Sequence, residues 1–201
     1  LIRTKNHQLL YDVGSTSMHS VADRVVLPFL RHMGVWRLDE VVISHLDHDH
    51  MSGLERLIQS LNIRHIWTSS PLMTHTAQSL CQLGVKWQWD GVTFKFIHPD
   101  QERIMTKNNM SCVLEITTSG GKVLLTGDIE SSAEKVMIKN KVLDKITVLV
   151  APHHGRSTSA TQAFMEIVRP DIILVSDQYH KIDNRWLNDS RVRLPYDTLQ
   201  V

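Results

Sequence analysis

The sequence predicts an α+β fold, in which strands and helices alternate along the chain. Short apolar segments bounded by turn residues recur from the first residues onward, and longer segments with apolar residues at helical spacing lie between them. No internal repeat, low-complexity tract or Gly/Ser-rich linker interrupts this alternation. Because 201 residues are enough for one substantial core, we expect a single domain over residues 1–201.

Capping and turn residues mark the predicted elements in the first half of the chain. Ser20 can cap a helix that ends at Gly34. Gly84 ends a later helix, and the pair Asp90-Gly91 is typical of a tight hairpin turn. The predicted elements are strands at 1–3, 8–13 and 40–44, helices at 21–33 and 54–61, a strand at 63–68, a helix at 74–83, and strands at 85–89 and 92–98.

The second half begins with a predicted hairpin. The segment Ser119-Gly120-Gly121 separates two apolar runs and is a strong hairpin signal. The predicted elements are strands at 111–118 and 122–126, a helix at 131–141, a strand at 146–151, a helix at 158–168 and a strand at 171–176. Beyond Gln178 the pattern fades, and no element is predicted there.

Composition leaves the function class open but points to metal chemistry. The net charge is +1, so a nucleic-acid function would have to rest on a local basic surface or on a bound metal. No apolar run approaches the roughly 20 residues of a membrane helix, so we expect the chain as given to be soluble. Cys81 and Cys112 lack CxxC spacing, which leaves a single disulfide possible. The 12 histidines are an unusual share, and several lie where periodic segments end.

Potential metal ligands concentrate at one strand-to-helix turn, which carries His45, Asp47, Asp49 and His50. Alternate residues of an extended segment share a face, so the first three can point one way, and the turn brings His50 beside them. Imidazole and carboxylate groups suit one or two divalent ions, and we expect Mn²⁺ or Zn²⁺. The alternative is a hydrated turn in which Asp49 or Ser52 caps the helix. That alternative does not explain why so many ligand types occur together.

Further candidate ligands follow two later apolar strands. Asp128 follows Gly127, where a carboxylate can bridge two metal ions; alone, it would more simply be a turn or a helix cap. His153 and His154 precede Gly155, so one can face the metals while the other packs or contacts substrate. We favour His154 as the ligand. The alternative is a histidine pair that satisfies loop backbone.

Several motifs together carry a family resemblance: Tyr11-Asp12-Val13-Gly14, the run from Leu38 to His50, Asn108-Asn109-Met110-Ser111, Leu124-Leu125-Thr126-Gly127-Asp128 and Pro152-His153-His154-Gly155. They resemble the metallo-β-lactamase superfamily, whose fold is a four-layer αββα sandwich of two sheets between helices. The usual superfamily loop reads HxHxDH, whereas this chain has HxDxDH. That variant resembles the C-terminal domain of the ComEC family of DNA-uptake proteins. The match covers residues 1–176, leaves 177–201 as an unclear tail, and implies a sandwich that lacks its first strand.

The resemblance implies a set of site residues. The ligands of one or two divalent ions, Mn or Zn, would be His45, Asp47, Asp49, His50, Asp128 and His154, with His153 as the alternative to His154. Asp47 or Asp49 would accept a proton or orient the nucleophile. Asn109 and Ser111 would line the cleft, where other superfamily members supply a middle histidine. Arg156 is either a contact to the DNA backbone or an exposed loop cation.

The resemblance also implies a function and a setting. The chain would be a metal-dependent DNA phosphodiesterase that degrades the non-imported strand during DNA uptake for transformation. Its partners would be DNA, the transmembrane channel portion of the same polypeptide and other DNA-uptake proteins. The domain would lie on the periplasmic or extracellular side of the inner or cell membrane. Two alternatives stay open: a hydrolase of another ester, thioester or lactone, and a DNA-binding module without turnover.

Overall fold

The computed structural model describes residues 1–15, 20–100, 105–176 and 183–194. The chain divides into two compact units, Leu1–Cys81 and Gln82–Val201. Each unit contains one β-sheet together with helices, which confirms the predicted α+β class. Within the described residues, no helix is both long enough and apolar enough to cross a membrane. Cys81 and Cys112 are both buried and disulfide-bonded.

The first unit contains a five-stranded sheet in the order β1-β2-β3-β4-β5. Its strands are β1 (Ile2–Arg3), β2 (Gln8–Tyr11), β3 (Arg37–Ile43), β4 (Asn62–Thr68) and β5 (Gln78–Leu80). A π-helical turn (Ala22–Val26) runs directly into helix α1 (Leu27–His32), and α2 (His48–Met51) and α3 (Leu54–Ser60) follow β3. Strands β1 and β2 are antiparallel, whereas each later neighbouring pair is parallel.

Helices α1 and α3 cover one face of this sheet through apolar side chains. Leu27 and Leu30 of α1 and Leu57 of α3 are buried together with Val41 of β3 and Ile66 of β4. Because β2, β3 and β4 are parallel, the loops that follow them leave the sheet at the same edge. The candidate ligands of this unit lie on the loop after β3, at that edge.

The predicted helix at 74–83 is wrong, because part of that segment is strand β5. Strand β5 pairs with β4, and on either side of it Ala77 accepts a backbone hydrogen bond from Ile66 and Cys81 donates one to Thr68. The Gln78 side chain also exchanges two hydrogen bonds of 2.9 Å with the backbone of Leu72. These contacts with β4 and with the preceding loop override the local helical pattern.

The second unit contains a seven-stranded sheet in the order β12-β11-β10-β9-β8-β7-β6. Its strands are β6 (Lys86–Trp89), β7 (Val92–His98), β8 (Val113–Thr118), β9 (Gly121–Leu125), β10 (Val148–Val150), β11 (Ile172–Leu174) and β12 (Val192–Arg193). Its helices are α4 (Ser131–Lys139), α5 (Gln162–Val168) and α6 (Asn184–Leu187), with 3-10 turns at Asn108–Met110 and Pro152–Gly155. Strands β6 to β9 pair antiparallel, and β9 to β12 pair parallel.

Helices α4 and α5 pack on the sheet of the second unit. Met137 of α4 and Phe164 of α5 are fully buried against Leu124 of β9 and Leu149 of β10. The two predicted hairpins, β6–β7 and β8–β9, are confirmed. Helix α6 and strand β12 lie beyond Gln178 and were not predicted. Trp186 of α6 is buried in a separate small cluster.

Candidate metal centre

The ligand loop, residues 45–50, follows β3 and includes the first residues of α2 in the first unit. His45 and His50 are almost fully buried, and their ring centroids lie 4.1 Å apart. Asp47 is extended and precedes α2, and its carboxylate lies 3.6 Å from Nε2 of His45. Asp49 lies inside α2, and the N-cap residues of α2 and α3 are Asp47 and Gly53, so neither Asp49 nor Ser52 occupies an N-cap position.

Asp12 and Ser44 hold both histidines of the loop by their Nδ1 atoms. Oδ2 of Asp12 lies 2.8 Å from Nδ1 of His50 and accepts a 2.8 Å hydrogen bond from the Ser44 hydroxyl. The Ser44 oxygen in turn lies 3.1 Å from Nδ1 of His45. An ionised carboxylate only accepts, so these contacts place the protons on Nδ1. The Nε2 lone pair of each ring is then the one that a metal would bind.

Gly14 and Gly53 let the backbone after β2 approach the ligand loop and the start of α3 closely. A Cβ on Gly14 would lie 2.2 Å from the carbonyl carbon of Asp49 and 2.3 Å from the nitrogen of His50. Val13 donates a backbone hydrogen bond to His50, and its own carbonyl accepts one from Gly53. The Asp12–Gly14 segment therefore fixes the position of the ligand loop.

Asp128 is the centre of the candidate site in the second unit. It follows β9, is buried, and donates its backbone N–H to the Ser111 hydroxyl oxygen at 3.1 Å. Its Oδ2 atom lies 3.5 Å from Nε2 of His154 and 3.8 Å from Nε2 of His153. One carboxylate oxygen is therefore flanked by two imidazoles, as a metal-bridging or metal-binding carboxylate would be.

His153 and His154 both adopt left-handed backbone conformations, with φ of 49° and 56°. Such conformations are uncommon for residues other than glycine, cost on the order of 1–3 kcal/mol each, and concentrate at functional sites. The backbone N–H of His153 donates to the carbonyl of Gly127, which ties this turn to the Asp128 turn. This backbone conformation places both imidazoles beside the carboxylate of Asp128.

Each of these two histidines is also held by its Nδ1 atom. Nδ1 of His153 lies 3.2 Å from Oε1 of Glu130 and 3.2 Å from the hydroxyl of Thr158. Nδ1 of His154 lies 3.0 Å from the hydroxyl of Ser176. Glu130, like Asp12, was not predicted as a site residue. A signal existed for Asp12, which lies in the first motif of the family resemblance, but no signal singled out Glu130.

Asn109, which was predicted to line a cleft, has a structural role, because its side chain holds neighbouring segments by hydrogen bonds. Its Oδ1 atom accepts backbone hydrogen bonds from Glu130 and Ala133, and its amide nitrogen donates to Thr106. The backbone carbonyl oxygen of Asn109 lies 2.7 Å from Nε2 of His98. His98 is buried, and this burial lowers the pKa of its imidazole. Asn109 therefore joins β7 to the start of α4.

The other two predicted substrate-binding residues differ in exposure. Ser111 is fully buried, and its hydroxyl donates to the carbonyl of Asn108 at 2.7 Å. The Arg156 side chain is exposed, and its carbonyl accepts a hydrogen bond from Arg185. Roles for Asn109, Ser111 and Arg156 in substrate binding stay predictions.

The residues present fit a divalent metal ion. Asp49 and His50 in the first unit, and Asp128 and His154 in the second, can each offer one ligand atom. The donors are imidazole nitrogen and carboxylate oxygen, which suit zinc and manganese. All four candidate histidines have an oxygen atom at Nδ1, which is the usual partner of a metal-binding imidazole. The candidate donors of each unit are thus of the kind that hold a metal ion in metal-dependent hydrolases.

Comparisons with known proteins agree with this class. A family model described as the metallo-beta-lactamase superfamily matches residues 1–176. The chain therefore belongs to the metallo-beta-lactamase superfamily. A solved structure titled as a new diphosphatase from the PhnP family has a TM-score of 0.58 at 11% identity, covering 96% of this chain and 78% of that one. This likeness confirms the predicted fold.

Two relatives have names that refer to competence and to recombination. The chain is 33% identical to Competence protein ComA of Neisseria gonorrhoeae over 89% of its own length and 25% of that protein. It is 32% identical to Recombination protein 2 of Haemophilus influenzae over 88% of its own length and 22% of that protein. The chain thus spans about a quarter of the length of these relatives.

Proposed function

We propose that this chain is a metal-dependent phosphodiesterase that cuts DNA. The observation that carries the proposal is the common arrangement of four buried or half-buried histidines: each has an oxygen at Nδ1, which directs Nε2 to a metal. The DNA substrate is supported by the HxDxDH form of the ligand loop and by relatives named for competence and recombination.

The proposed ligands are those that the family resemblance implies. They are His45, Asp47, Asp49 and His50 of the ligand loop, with Asp128 and His154, around one or two Mn²⁺ or Zn²⁺ ions. A divalent ion supplies Lewis acidity, which offsets phosphoryl charge and makes water a nucleophile near neutral pH. His153 is the alternative to His154, whose Nε2 atom lies nearer to Asp128, at 3.5 Å against 3.8 Å for His153.

Two acidic residues and one cation have proposed roles in the reaction. The Asp47 side chain is 40% exposed, so its carboxylate can accept a proton from solvent or substrate. Asp49 orients the nucleophile. Arg156 contacts a phosphate of the DNA backbone from the exposed side of the Pro152–Gly155 turn. Asn109 and Ser111 support the substrate cleft through the turns that they hold.

We further propose that the chain acts in DNA uptake as part of a longer polypeptide. That polypeptide would include a transmembrane channel and work with other DNA-uptake proteins, and this part would degrade the strand that is not imported. The disulfide-bonded state of Cys81 and Cys112 supports a periplasmic or extracellular location, because disulfides persist in oxidising compartments.

The test is cleavage of labelled DNA by the purified chain. Single-stranded and double-stranded DNA are incubated with the chain and Mn²⁺, Zn²⁺ or Mg²⁺, beside the variants Asp49→Ala and Asp171→Ala. Asp171 is an exposed residue that pairs with Lys145 at 3.4 Å, so it controls for the loss of a carboxylate. We expect cutting that needs the metal, survives in Asp171→Ala and is lost in Asp49→Ala.

Other results would favour the alternative functions. Metal-dependent hydrolysis of a lactone or thioester without DNA cutting would indicate a different hydrolase of the same superfamily. Salt-sensitive DNA binding without any turnover would indicate a binding module. Cutting that persists in Asp49→Ala would identify a contaminating nuclease.

A further inference from the structure

A groove of about 800 Å³ lies beside the ligand loop, entirely within the first unit. One side is formed by the ligand loop and helices α2 and α3, and the other by residues 71–76, which follow β4. The lining residues used below are Leu46, His48, Met51, Ile58, Met73 and His75.

The topology of the sheet explains why this groove begins at the ligand loop. Strands β3 and β4 are parallel and in register up to the pair Ile43 and Thr68. The ligand loop and the segment after β4 therefore leave the same edge of the sheet, and ligands of α/β sheets bind at the carboxyl ends of parallel strands. Leu46 and His48 belong both to the ligand loop and to the groove.

The lining is unsuited to phosphate and suited to an uncharged, flat group. Among the residues that the structure describes, the lining contains no Lys or Arg, and its one carboxylate, Glu55, would repel an anion. Leu46, Met51 and Ile58 supply apolar and polarisable surface, and thioethers make favourable contacts with aromatic rings. His48 and His75 are exposed and can stack on such a ring. The volume is within the range of sites for small ligands, about 300–1,000 Å³.

We propose that this groove binds an unpaired nucleobase of the DNA strand that reacts at the metal centre. The inference rests on the proposed DNA cutting. The phosphates would stay at the ligand loop, while one base leaves the strand and lies between Met51 on one side and Met73 and His75 on the other. Because paired bases are stacked within a duplex, this site favours single-stranded DNA.

The experiment compares intact oligothymidylate with the same oligonucleotide carrying one abasic nucleotide, placed in turn at each position. The variant is the double substitution Met73→Ala, His75→Ala, in which both residues are exposed. The matched control is His32→Ala, Met33→Ala, because these neighbouring residues are also exposed but do not line the groove. The measured quantity is the ratio of kcat/KM for intact and abasic DNA.

We expect the unmodified chain to prefer intact DNA at one position by about fivefold or more, the size of one weak base-stacking contact. In the groove variant this ratio should fall to about one, while cutting of the abasic DNA is unchanged and shows that the variant is folded. The control variant should keep the ratio of the unmodified chain. Equal cutting of intact and abasic DNA by the unmodified chain, or a preference that survives in the groove variant, would overturn the proposal.

Absence of cutting would count against the phosphodiesterase, not against the groove. In that case binding is followed by the fluorescence of 2-aminopurine placed in the oligonucleotide. A fluorescence change that the groove variant lowers and the control variant keeps would still support base binding. No change with the unmodified chain would mean that the groove holds something other than a nucleobase.

Discussion

Asp12 and His50 are joined by a contact of 2.8 Å between Oδ2 and Nδ1, although they are 38 residues apart in the chain. Asp12 has a left-handed backbone, with φ of 55°, and its Oδ1 atom accepts the backbone N–H of Ser44 at 2.7 Å. One carboxylate therefore fixes the end of β3 and the orientation of a candidate ligand. In the proposed metal centre Asp12 would be a positioning residue, because it would act on the metal through His50.

We expect the substitution Asp12→Asn to weaken metal binding by about 10–100-fold. Asparagine tolerates a left-handed backbone, but its amide would donate to Nδ1 of His50 and move the ring proton to Nε2. The affinity is measured by competition with a chelator for Zn²⁺ or Mn²⁺, with circular dichroism as the check on folding. Asp23→Asn is the control, since Asp23 is exposed and pairs with Arg56 at 2.7 Å. Unchanged affinity in Asp12→Asn would show that Asp12 does not set the tautomer.

Gly14 is expected to tolerate no side chain. In Gly14→Ala the new Cβ would meet backbone atoms of Asp49 and His50, which cannot rotate away as a side chain could. Overpacking of this kind costs typically about 1–3 kcal/mol, and the displaced ligand loop should lose metal affinity as well. Thermal unfolding with and without metal measures both effects. Gly120→Ala is the control, because its nearest neighbour would be 3.7 Å away; equal behaviour of the two variants would contradict the close approach seen at Gly14.

The position of the ligand loop could be predicted because its signal is local in the sequence. His45, Asp47, Asp49 and His50 lie within six residues, so a single strand-to-helix turn is enough to collect them. Asp128 and the histidine pair could be proposed in the same way, since each follows an apolar strand. The fold class followed from the alternation of strands and helices, which the structure confirms.

The contacts that depend on pairing between distant segments could not be predicted. The Asp12–His50 contact requires β2 and β3 to lie side by side, which no local pattern states. Residues 78–80 form a strand because β4 offers a parallel edge, although their own pattern favoured a helix. The indole N–H of Trp186 donates to the carbonyl of Gly155, 31 residues earlier, so α6 is held by a contact that no local pattern states.

His154 should contribute more to metal binding than His153. We expect His154→Ala to lower metal affinity by about tenfold or more, and His153→Ala to lower it less, because Nε2 of His153 lies farther from Asp128 than Nε2 of His154 does. The affinities are compared by isothermal titration with Zn²⁺ at one pH. A larger loss in His153→Ala would assign the ligand role to His153 instead.

Glu134 is expected to stabilise the loop that follows the histidine turn. Its fully buried carboxylate accepts three hydrogen bonds, from the backbone of Ala160 and from the backbone and hydroxyl of Thr161. In Glu134→Gln one oxygen becomes an NH₂ group that faces donors, which should lower the free energy of unfolding by about 1–3 kcal/mol. Urea unfolding measures the change. Glu166→Gln, which alters an exposed contact to Gln162, should leave the midpoint almost unchanged, and equal losses in the two variants would contradict this role.

Glu40 should make the stability of the chain depend on pH. Burial raises its pKa from 4.5 to about 7, the hydrogen bond from Trp67 opposes this rise, and the charge of Asp39 adds to it. The folded chain therefore keeps a proton on Glu40 that the unfolded chain loses at lower pH. The contribution of Glu40 to stability is fully present below the pKa that it has in the unfolded chain. It is lost as the pH rises through the pKa that Glu40 has in the folded chain.

The part of the free energy of unfolding that depends on Glu40 should accordingly fall between about pH 4.5 and pH 7 and then level off. In Glu40→Gln this part of the slope should disappear, because an amide does not titrate and can still accept the Trp67 hydrogen bond. Urea unfolding at a series of pH values measures the slope. Glu55→Gln, an exposed substitution, should keep it, and identical slopes in the unmodified chain and in Glu40→Gln would mean that Glu40 is ionised in the folded chain throughout this range.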